Sequence, residues 1–390
     1  MKARTIAVLA LITMIIVMGA GLACGDDDDP GVENDPQSNQ PQDNDPEENL
    51  NQPQPCELRL GDENGEVFAS LSDYCFFRGD PAAHQPSEGV FPYEVAAELY
   101  ADRSKKERFI VLPDGETIGF HAEERWDWPD DTILIKTFYY PYDERDPEAG
   151  RLILETRLLH KRDGQWRADS YVWDEDQQDA QLHNFGQRTE VEFIDLEGDT
   201  VTIDYRIPNR NQCTTCHGQS GDLVPLGPRT RQLLQPHSEY PERGPQLEDF
   251  VDQGLFDSPP ENPGDLFGVT DPHDESAPLE DRARAYLDAN CAHCHNPDGR
   301  ASSSNLFLDI REIHPRRLGV CKSPVAAGQG SGGRSYDIVP GEPDESIMIF
   351  RMESTNPAFK MPELPITTVD EFGVSLIREW IEAMEATGCD

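Results

Sequence analysis

Two short groups of cysteine and histidine have the composition and spacing of covalent haem attachment sites. Both follow the pattern Cys-x-x-Cys-His, the first formed by Cys213, Cys216 and His217 and the second by Cys291, Cys294 and His295. In this pattern the two thiols bond to the vinyl groups of a porphyrin, and the adjacent histidine reaches the iron as its proximal ligand. The sequence therefore predicts two covalently bound haem c groups on one chain.

Two other uses of paired cysteines are less consistent with this pattern. A zinc ribbon also uses two Cys-x-x-Cys pairs, but these are usually separated by about 15–20 residues, and here residues 217–290 lie between them. A thioredoxin-like redox pair needs no histidine after the second cysteine, whereas this chain has one in both places. We therefore favour haem over zinc and over dithiol chemistry.

The distal ligand of the second iron is predicted from a loop near the C-terminus. Met361 lies between Lys360 and Pro362, and a thioether ligand favours ferrous iron and raises the potential, as suits an electron carrier. Met348, Met352 and Met384 fall on helical patterns, and we interpret them as core side chains.

The first iron has no such ligand nearby in the sequence. No methionine lies between Met18 and Met348, and the nearest downstream histidines outside the motifs are His237 and then His273. His237 is the first candidate for the sixth ligand, while a ligand from another domain and an open coordination position stay alternatives.

The N-terminus has the pattern of a bacterial lipoprotein export signal. Lys2 and Arg4 precede an apolar run at residues 6–18, which is shorter than the about 20 residues that a membrane-spanning helix needs. Cys24 is the predicted lipid attachment site and the residue after it is Gly25, which favours the outer membrane. Gly21 departs from the usual leucine, so cleavage without lipidation is the alternative. We expect a periplasmic protein, anchored to the outer membrane through Cys24.

The remaining cysteines support an oxidising compartment. Nine cysteines, less Cys24 and the four motif thiols, leave Cys56, Cys75, Cys321 and Cys389. We predict a Cys56–Cys75 disulfide at the entry to one domain and a Cys321–Cys389 disulfide that ties the last helix to its own domain. The alternative is four buried free thiols.

The formal charge of −42 limits the partners of this chain. Nucleic acid and anionic membrane surfaces would repel it. A basic redox protein would be attracted, because complementary charge speeds encounter. An acidic surface that only maintains solubility is an equally good interpretation.

Composition and periodicity divide the chain into five segments. They are a signal peptide (1–23), a disordered acidic tether (24–55), a β-rich domain (56–208), a first haem segment (209–275) and an α-helical cytochrome c-like domain with the second haem (276–390). The predicted fold class is therefore mixed, with an antiparallel β-rich N-terminal domain followed by α-helical cytochrome c-like structure.

Strand and helix patterns support this division. Residues 108–112 and 117–122 flank Asp114 and Gly115 and predict a hairpin; further strands are predicted at 132–140, 151–160, 165–173, 190–194 and 201–207, as a meander closed into a sandwich or barrel. Helices are predicted at 279–290 and 369–386, the second with Thr368 and Glu371 as a capping box. His121, His160 and His183 are interpreted as surface or strand residues and not as metal ligands.

Several longer motifs resemble a family of bacterial di-haem c-type cytochromes. They are Leu-Tyr-Ala-Asp at 99–102, Lys-Glu-Arg at 106–108, residues 135–141, 171–173 and 179–180, residues 207–213 at the first haem motif, and residues 285–287, 290–297, 306–309, 338–341 and 361–363 around the second. The resemblance covers residue 71 to the final helix. It implies an exported electron-transfer protein, in some members encoded beside a parallel β-helix protein as partner.

Two functions of different classes follow from these residues. The first is a di-haem electron carrier between redox partner proteins, with His217, His295 and Met361 as iron ligands. The alternative is a di-haem peroxidase-like enzyme in which one iron keeps an open position, because the first haem lacks a local distal ligand. We favour the electron carrier over the enzyme.

Overall fold

The computed structural model describes residues 56–363, 366–386 and 388–389, which all belong to one compact unit. The predicted signal peptide, the lipid site at Cys24 and the acidic tether lie outside the described residues. Within the described part, no helix has the length and apolar character needed to cross a bilayer.

A six-stranded antiparallel sheet forms the larger part of the structure. A two-stranded ladder precedes it, formed by β1 (Phe77–Arg78) and β2 (Gln85–Pro86). The sheet follows chain order, with β3 (Val90–Pro92), β4 (Lys105–Val111), β5 (Ile133–Pro141), β6 (Arg151–Arg162), β7 (Gln165–Trp173) and β8 (Ala180–Leu182). Two hairpins come next, β9 (Gln187–Ile194) with β10 (Thr200–Ile207) and β11 (Gly218–Gln219) with β12 (Asp222–Leu223).

The central strand β5 is covered on both faces. Ile133 and Ile135 pack into the core under β1 and β7, whereas Leu134 packs towards residues 247–256 on the other face. Phe138, on that same strand, packs with Phe193 and Tyr205 of the β9–β10 hairpin. Because side chains alternate between the faces of a strand, a nearly continuous apolar run suits this two-sided burial.

The predicted meander is present but open, and one predicted hairpin is wrong. Residues 117–122 do not form a strand against β4; they make isolated bridges, Ile118 with Phe256 and Gly119 with Asp127. The Ile118 N–H donates to the Leu255 carbonyl over 2.8 Å. Pairing with a distant segment therefore replaces the local pairing that the Asp-Gly turn signal predicts. The β9–β10 hairpin covers one face of the sheet, and β3 and β8 remain its two edges.

The prediction of an α-helical cytochrome c-like domain over residues 276–390 is wrong. The described chain is β-rich, and its α-helices are short: α1 (Cys213–His217), α2 (Gln246–Asp252), α3 (Leu279–Asn290), α4 (Ile347–Met352) and α5 (Glu371–Glu382). Residues 291–346, rich in Gly, Pro and Ser, form turns, single bridges and short 3-10 helices. Side chains bond the backbone there instead of helix ladders; the Arg284 guanidinium donates to the carbonyls of Asp309, Ile310 and Glu312. The finer domain limits stay predictions.

Helix α5 begins later than predicted, because the predicted cap is used elsewhere. Asp370 caps it by accepting the Gly373 N–H over 3.0 Å. The Thr368 hydroxyl donates instead to the buried carboxylate of Asp102 over 2.8 Å. A long-range contact has replaced the local capping box.

Residues 98–102 hold the sheet against the ends of α3 and α5. The Asp102 carboxylate accepts backbone N–H groups from Thr367 and Thr368 at 2.7 and 2.8 Å. The Asn290 side chain, at the end of α3, accepts the Tyr100 N–H over 2.7 Å and donates to the Glu98 carbonyl over 3.1 Å. The Leu-Tyr-Ala-Asp motif is therefore a structural junction between the sheet and the C-terminal segment.

The four described cysteines outside the motifs lie in two pairs at disulfide distance. Cys56 pairs with Cys75 at a Cα–Cα distance of 5.6 Å, and Cys321 pairs with Cys389 at 5.0 Å. The four motif cysteines lie outside these pairs. Their thiols are therefore available for other bonds.

We expect Asp102→Asn to lower the free energy of unfolding by roughly 2 kcal/mol, because charged hydrogen bonds to Thr367 and Thr368 are weakened. Asparagine tolerates the positive φ of 50° at this position, so the backbone is not strained by the change. The check is chemical denaturation of both proteins. Asp114→Asn, on an exposed turn, is the matched control, and equal losses for the two variants would contradict the junction.

Candidate haem-binding site

The first motif forms the short helix α1, and a capping box begins the 3-10 helix at residues 210–212 that leads directly into it. The Asn209 side chain accepts the Gln212 N–H over 3.1 Å, and the Gln212 side chain accepts the Asn209 N–H over 2.9 Å. The helix then carries Cys213, Cys216 and His217 over a little more than one turn. The Asn-x-x-Gln sequence before the first cysteine is a signal that could have predicted this helix.

The ring of His217 is held by a backbone carbonyl. The β11–β12 hairpin returns the chain so that the Val224 carbonyl oxygen lies 2.9 Å from His217 Nδ1. The proton is therefore assigned to Nδ1, which leaves the Nε2 lone pair for a metal. Burial lowers the pKa of His217 to about 4, so the ring is neutral at neutral pH, the form that binds iron.

The second motif follows α3 directly and has a similar arrangement. The Cys291 N–H continues the helix by donating to the Leu287 carbonyl over 2.9 Å. The Leu306 carbonyl oxygen lies 3.3 Å from His295 Nδ1. Burial also lowers the pKa of His295 to about 4. Both motif histidines are thus neutral and oriented through the same ring nitrogen.

A large cavity of about 710 Å³ lies against the first motif, with Cys213, Cys216 and His217 in its lining. Arg108, Lys136 and Arg157 form part of its wall and are direct cross-strand neighbours on β4, β5 and β6. Arg108 pairs with Glu98 over 2.9 Å and Arg157 pairs with Glu155, so Lys136 is the member of this row without an ion pair among the described residues. The lining contains nine Arg and Lys residues and seven Asp and Glu residues. In the whole chain, Asp and Glu dominate, with 75 residues against 33 Arg and Lys.

Four arginines in this lining have buried nitrogens without a hydrogen-bond partner among the described residues. They are Nε of Arg125, Nε of Arg206, Nε of Arg229 and Nη1 of Arg231. Burial, and then the neighbouring charges of Arg231 and Arg125, lower the pKa of Arg229 to about 10. Haem carries two propionate carboxylates, and guanidinium groups bind carboxylates through paired N–H donors. The residues of the first cavity therefore fit a haem.

A second cavity of about 200 Å³ lies against the second motif. Cys291, Cys294, His295 and the predicted distal ligand Met361 all line it. The Lys360 ammonium holds this loop by donating to the carbonyls of Pro362 and Ile366 over 3.1 and 2.8 Å. Met361 thus shares one cavity with the proximal histidine predicted for the same iron.

Met348 and Met352 also line the second cavity. Met348 packs in the core between α3, α4 and α5, and Met352 packs against that core. Their interpretation as core side chains is consistent with this position, but both also border the space that the second haem would fill. The sequence analysis did not predict that dual position.

The two motifs, distant in sequence, lie in contact. Cys294 Sγ is 3.6 Å from the Thr215 carbonyl oxygen, and Cys216 and His293 line both cavities. A buried pair supports this arrangement: the Arg231 guanidinium donates to the Asp288 carboxylate at 3.0 to 3.1 Å and so joins the first cavity to α3. Sequence reasoning gave no sign of this contact, because nothing in either motif encodes its neighbour.

The histidines considered as distal ligands of the first iron lie elsewhere. His237 is buried beside Asp249 and Glu94, with nitrogen to oxygen distances of 3.5 and 3.9 Å. His273 is exposed and stacks on Phe372. Neither residue lines the first or the second cavity.

The described residues do not provide the set of ligands that the zinc alternative requires. A structural zinc ion needs four converging ligands, and no group of three or more His, Cys, Asp or Glu side chains in the described part of the chain could hold a metal ion. A haem iron needs fewer protein ligands, because the porphyrin nitrogens supply the rest.

No family model, curated protein or solved structure matches this chain. The interpretation of the site therefore depends on its own residues.

Arg229→Met should have opposite consequences in the two forms of the protein. In the haem-free chain it removes a half-buried cation whose Nε has no partner among the described residues, so we expect the free energy of unfolding to rise by roughly 1 kcal/mol. In the haem-loaded chain it removes a cation near the porphyrin, so the potential of the first haem should fall by tens of millivolts.

Denaturation of the haem-free chain and potentiometric titration of the loaded chain measure the two effects. Arg188→Met, at an exposed position on β9 with a side chain 64% accessible, is the matched control and should change neither quantity. A haem-free Arg229→Met chain less stable than the wild type would show that the guanidinium is satisfied within the protein.

Proposed function

We propose that this protein is a periplasmic di-haem c-type cytochrome that carries electrons between redox partner proteins. The observation that carries the proposal is a pair of Cys-x-x-Cys-His motifs in contact, with thiols outside the disulfides and histidines held through Nδ1. Each motif lines a cavity. Electron transfer needs redox centres that lie close together, and the shared wall of the two cavities supports that.

The chain's residues perform attachment and ligation. Each thiol adds across one vinyl group: the S–H bond breaks, a carbon–sulfur bond and a carbon–hydrogen bond form, and no oxidant is consumed. His217 and His295 would then hold the two irons through Nε2, since Nδ1 of each is engaged by a carbonyl. Bound haem supplies one-electron exchange at iron.

The first cavity would hold the propionates of its haem with cations. Arg125, Arg229 and Arg231 supply N–H donors that have no partner among the described residues. Neutralising buried carboxylates in this way favours haem binding, because an unpaired buried charge of either sign is costly. The propionate oxygens would accept hydrogen bonds from these guanidinium groups.

Location and partners are part of the same proposal. Export as a lipoprotein through Cys24, with an acidic tether at residues 25–55, would hold the folded unit near the outer membrane while leaving it free to meet partners. The net charge of −42 favours a basic redox partner and disfavours nucleic acid. The resemblance to di-haem cytochromes adds a parallel β-helix protein as a candidate partner.

Reduction and carbon monoxide binding distinguish the carrier from the peroxidase-like enzyme. An electron carrier should titrate with two reversible one-electron steps and, when reduced, bind no carbon monoxide, because both irons are six-coordinate. A peroxidase should bind carbon monoxide at one iron and be oxidised rapidly by hydrogen peroxide. That second result would replace the carrier by the enzyme.

Met361→Ala should remove the ferric methionine-to-iron charge-transfer band and lower the potential of the second haem by more than about 100 mV, because the thioether favours ferrous iron. Near-infrared spectroscopy and potentiometric titration measure both effects. Met384→Ala is the control, since Met384 packs against the C-terminal core and does not line the cavity. If the band persists in Met361→Ala, Met348 or Met352 is the ligand.

A further inference from the structure

We propose that His293 is the distal iron ligand of the haem attached at the first motif. The inference rests on the proposed function, since it requires a haem at Cys213 and Cys216. His293 belongs by sequence to the second motif, between Cys291 and Cys294, where it is an ordinary variable position. In the structure it lines the first cavity as well as the second.

The first cavity offers few side chains that could ligate iron. The four described methionines are at 348, 352, 361 and 384, and none of them lines this cavity. Its lining contains two histidines, His217 and His293. With His217 assigned to the proximal position, His293 is the imidazole that remains.

The ring of His293 has the state that ligation requires. Its Nδ1 is buried and has no hydrogen-bond partner among the described residues. The Ala289 carbonyl is the backbone group that acts on this ring. With Nδ1 directed to that carbonyl, Nε2 is left for a metal, as in His217 and His295.

The position of His293 also links the two motifs. His293 and His217 line the same cavity, although they belong to different motifs. His293, as ligand of the first haem, would then directly precede Cys294, which is a thioether attachment site of the second haem. The two redox centres would be joined through one peptide bond.

Lys136 is the competing ligand in the same lining. It has no hydrogen bond or ion pair to another described residue, and burial lowers its pKa well below the usual value. It is however one of three adjacent cations on the sheet, opposite Arg108 and Arg157. We therefore assign it to charge compensation of the porphyrin carboxylates, and the experiment separates the two residues.

The test uses the full chain produced with c-type haem maturation, as wild type, His293→Ala and His293→Gln. Ferric electron paramagnetic resonance and near-infrared magnetic circular dichroism should show one bis-histidine haem and one histidine–methionine haem in the wild type. Both variants should lose the bis-histidine signal and bind about one carbon monoxide per chain when reduced. Added imidazole should restore the low-spin signal in His293→Ala.

Three controls complete the design. His273→Ala, at an exposed position, should keep both signals, and so should His237→Gln and Lys136→Met. A bis-histidine signal that survives in His293→Ala and His293→Gln overturns the inference, as does its loss in Lys136→Met or His237→Gln alone. Haem content by the pyridine haemochrome assay is measured for every variant: two haems with unchanged ligation refute only the His293 assignment, whereas absent haem in the wild type refutes the proposed function.

Discussion

Buried polar side chains hold the segments around both motifs in place, because those segments have little regular secondary structure of their own. Asp102 binds the backbone before α5, Asn290 binds residues 98–100, and Arg231 binds Asp288 on α3. A loop that lacks helix or sheet ladders must satisfy its backbone by other means. Here Asp102 and, on α3, Arg284 and Asn290 do so, and the two motifs are brought together as a result.

Charge is distributed unevenly for a chain so acidic overall. Aspartate and glutamate dominate the sequence, yet cations outnumber acids in the lining of the first cavity. Arg108 and Arg157 have acid partners, but Lys136 between them has none, and several guanidinium nitrogens of the lining lack a partner among the described residues. These groups disfavour the haem-free state. A dianionic porphyrin in that space would satisfy them, so the same residues that weaken the empty fold would favour the loaded one. Cofactor binding would then contribute to folding, as it does for metal sites.

The sequence predicted the local motifs and the strands more completely than the architecture. Thioether attachment needs fixed local spacing, so both motifs could be found without a structure, and the strands at 132–140, 151–160 and 165–173 follow from apolar and β-branched runs. The prediction of a helical C-terminal domain is wrong. The amphipathic patterns of α3 and α5 correspond to real helices, but the segment between them has little helix, so two helices do not make the domain helical.

The missed features depend on contacts between residues far apart in the chain. Ile118 pairs with residues 255–257 and not across the Asp-Gly turn, and Thr368 binds Asp102 and not its own helix. The contact between the motifs, and the position of His293 in both cavities, arise from the packing of α1 against the end of α3. Spacing within a motif carries no information about such contacts.

The central claim is that two porphyrins are bonded to this chain, one at each motif. The most direct test is the intact mass of the mature protein, isolated from a periplasm that has c-type haem maturation, followed by peptide mapping. The account predicts an increase of two haem masses, located on the peptides that contain Cys213 with Cys216 and Cys291 with Cys294. A mature protein with no added porphyrin mass would contradict it.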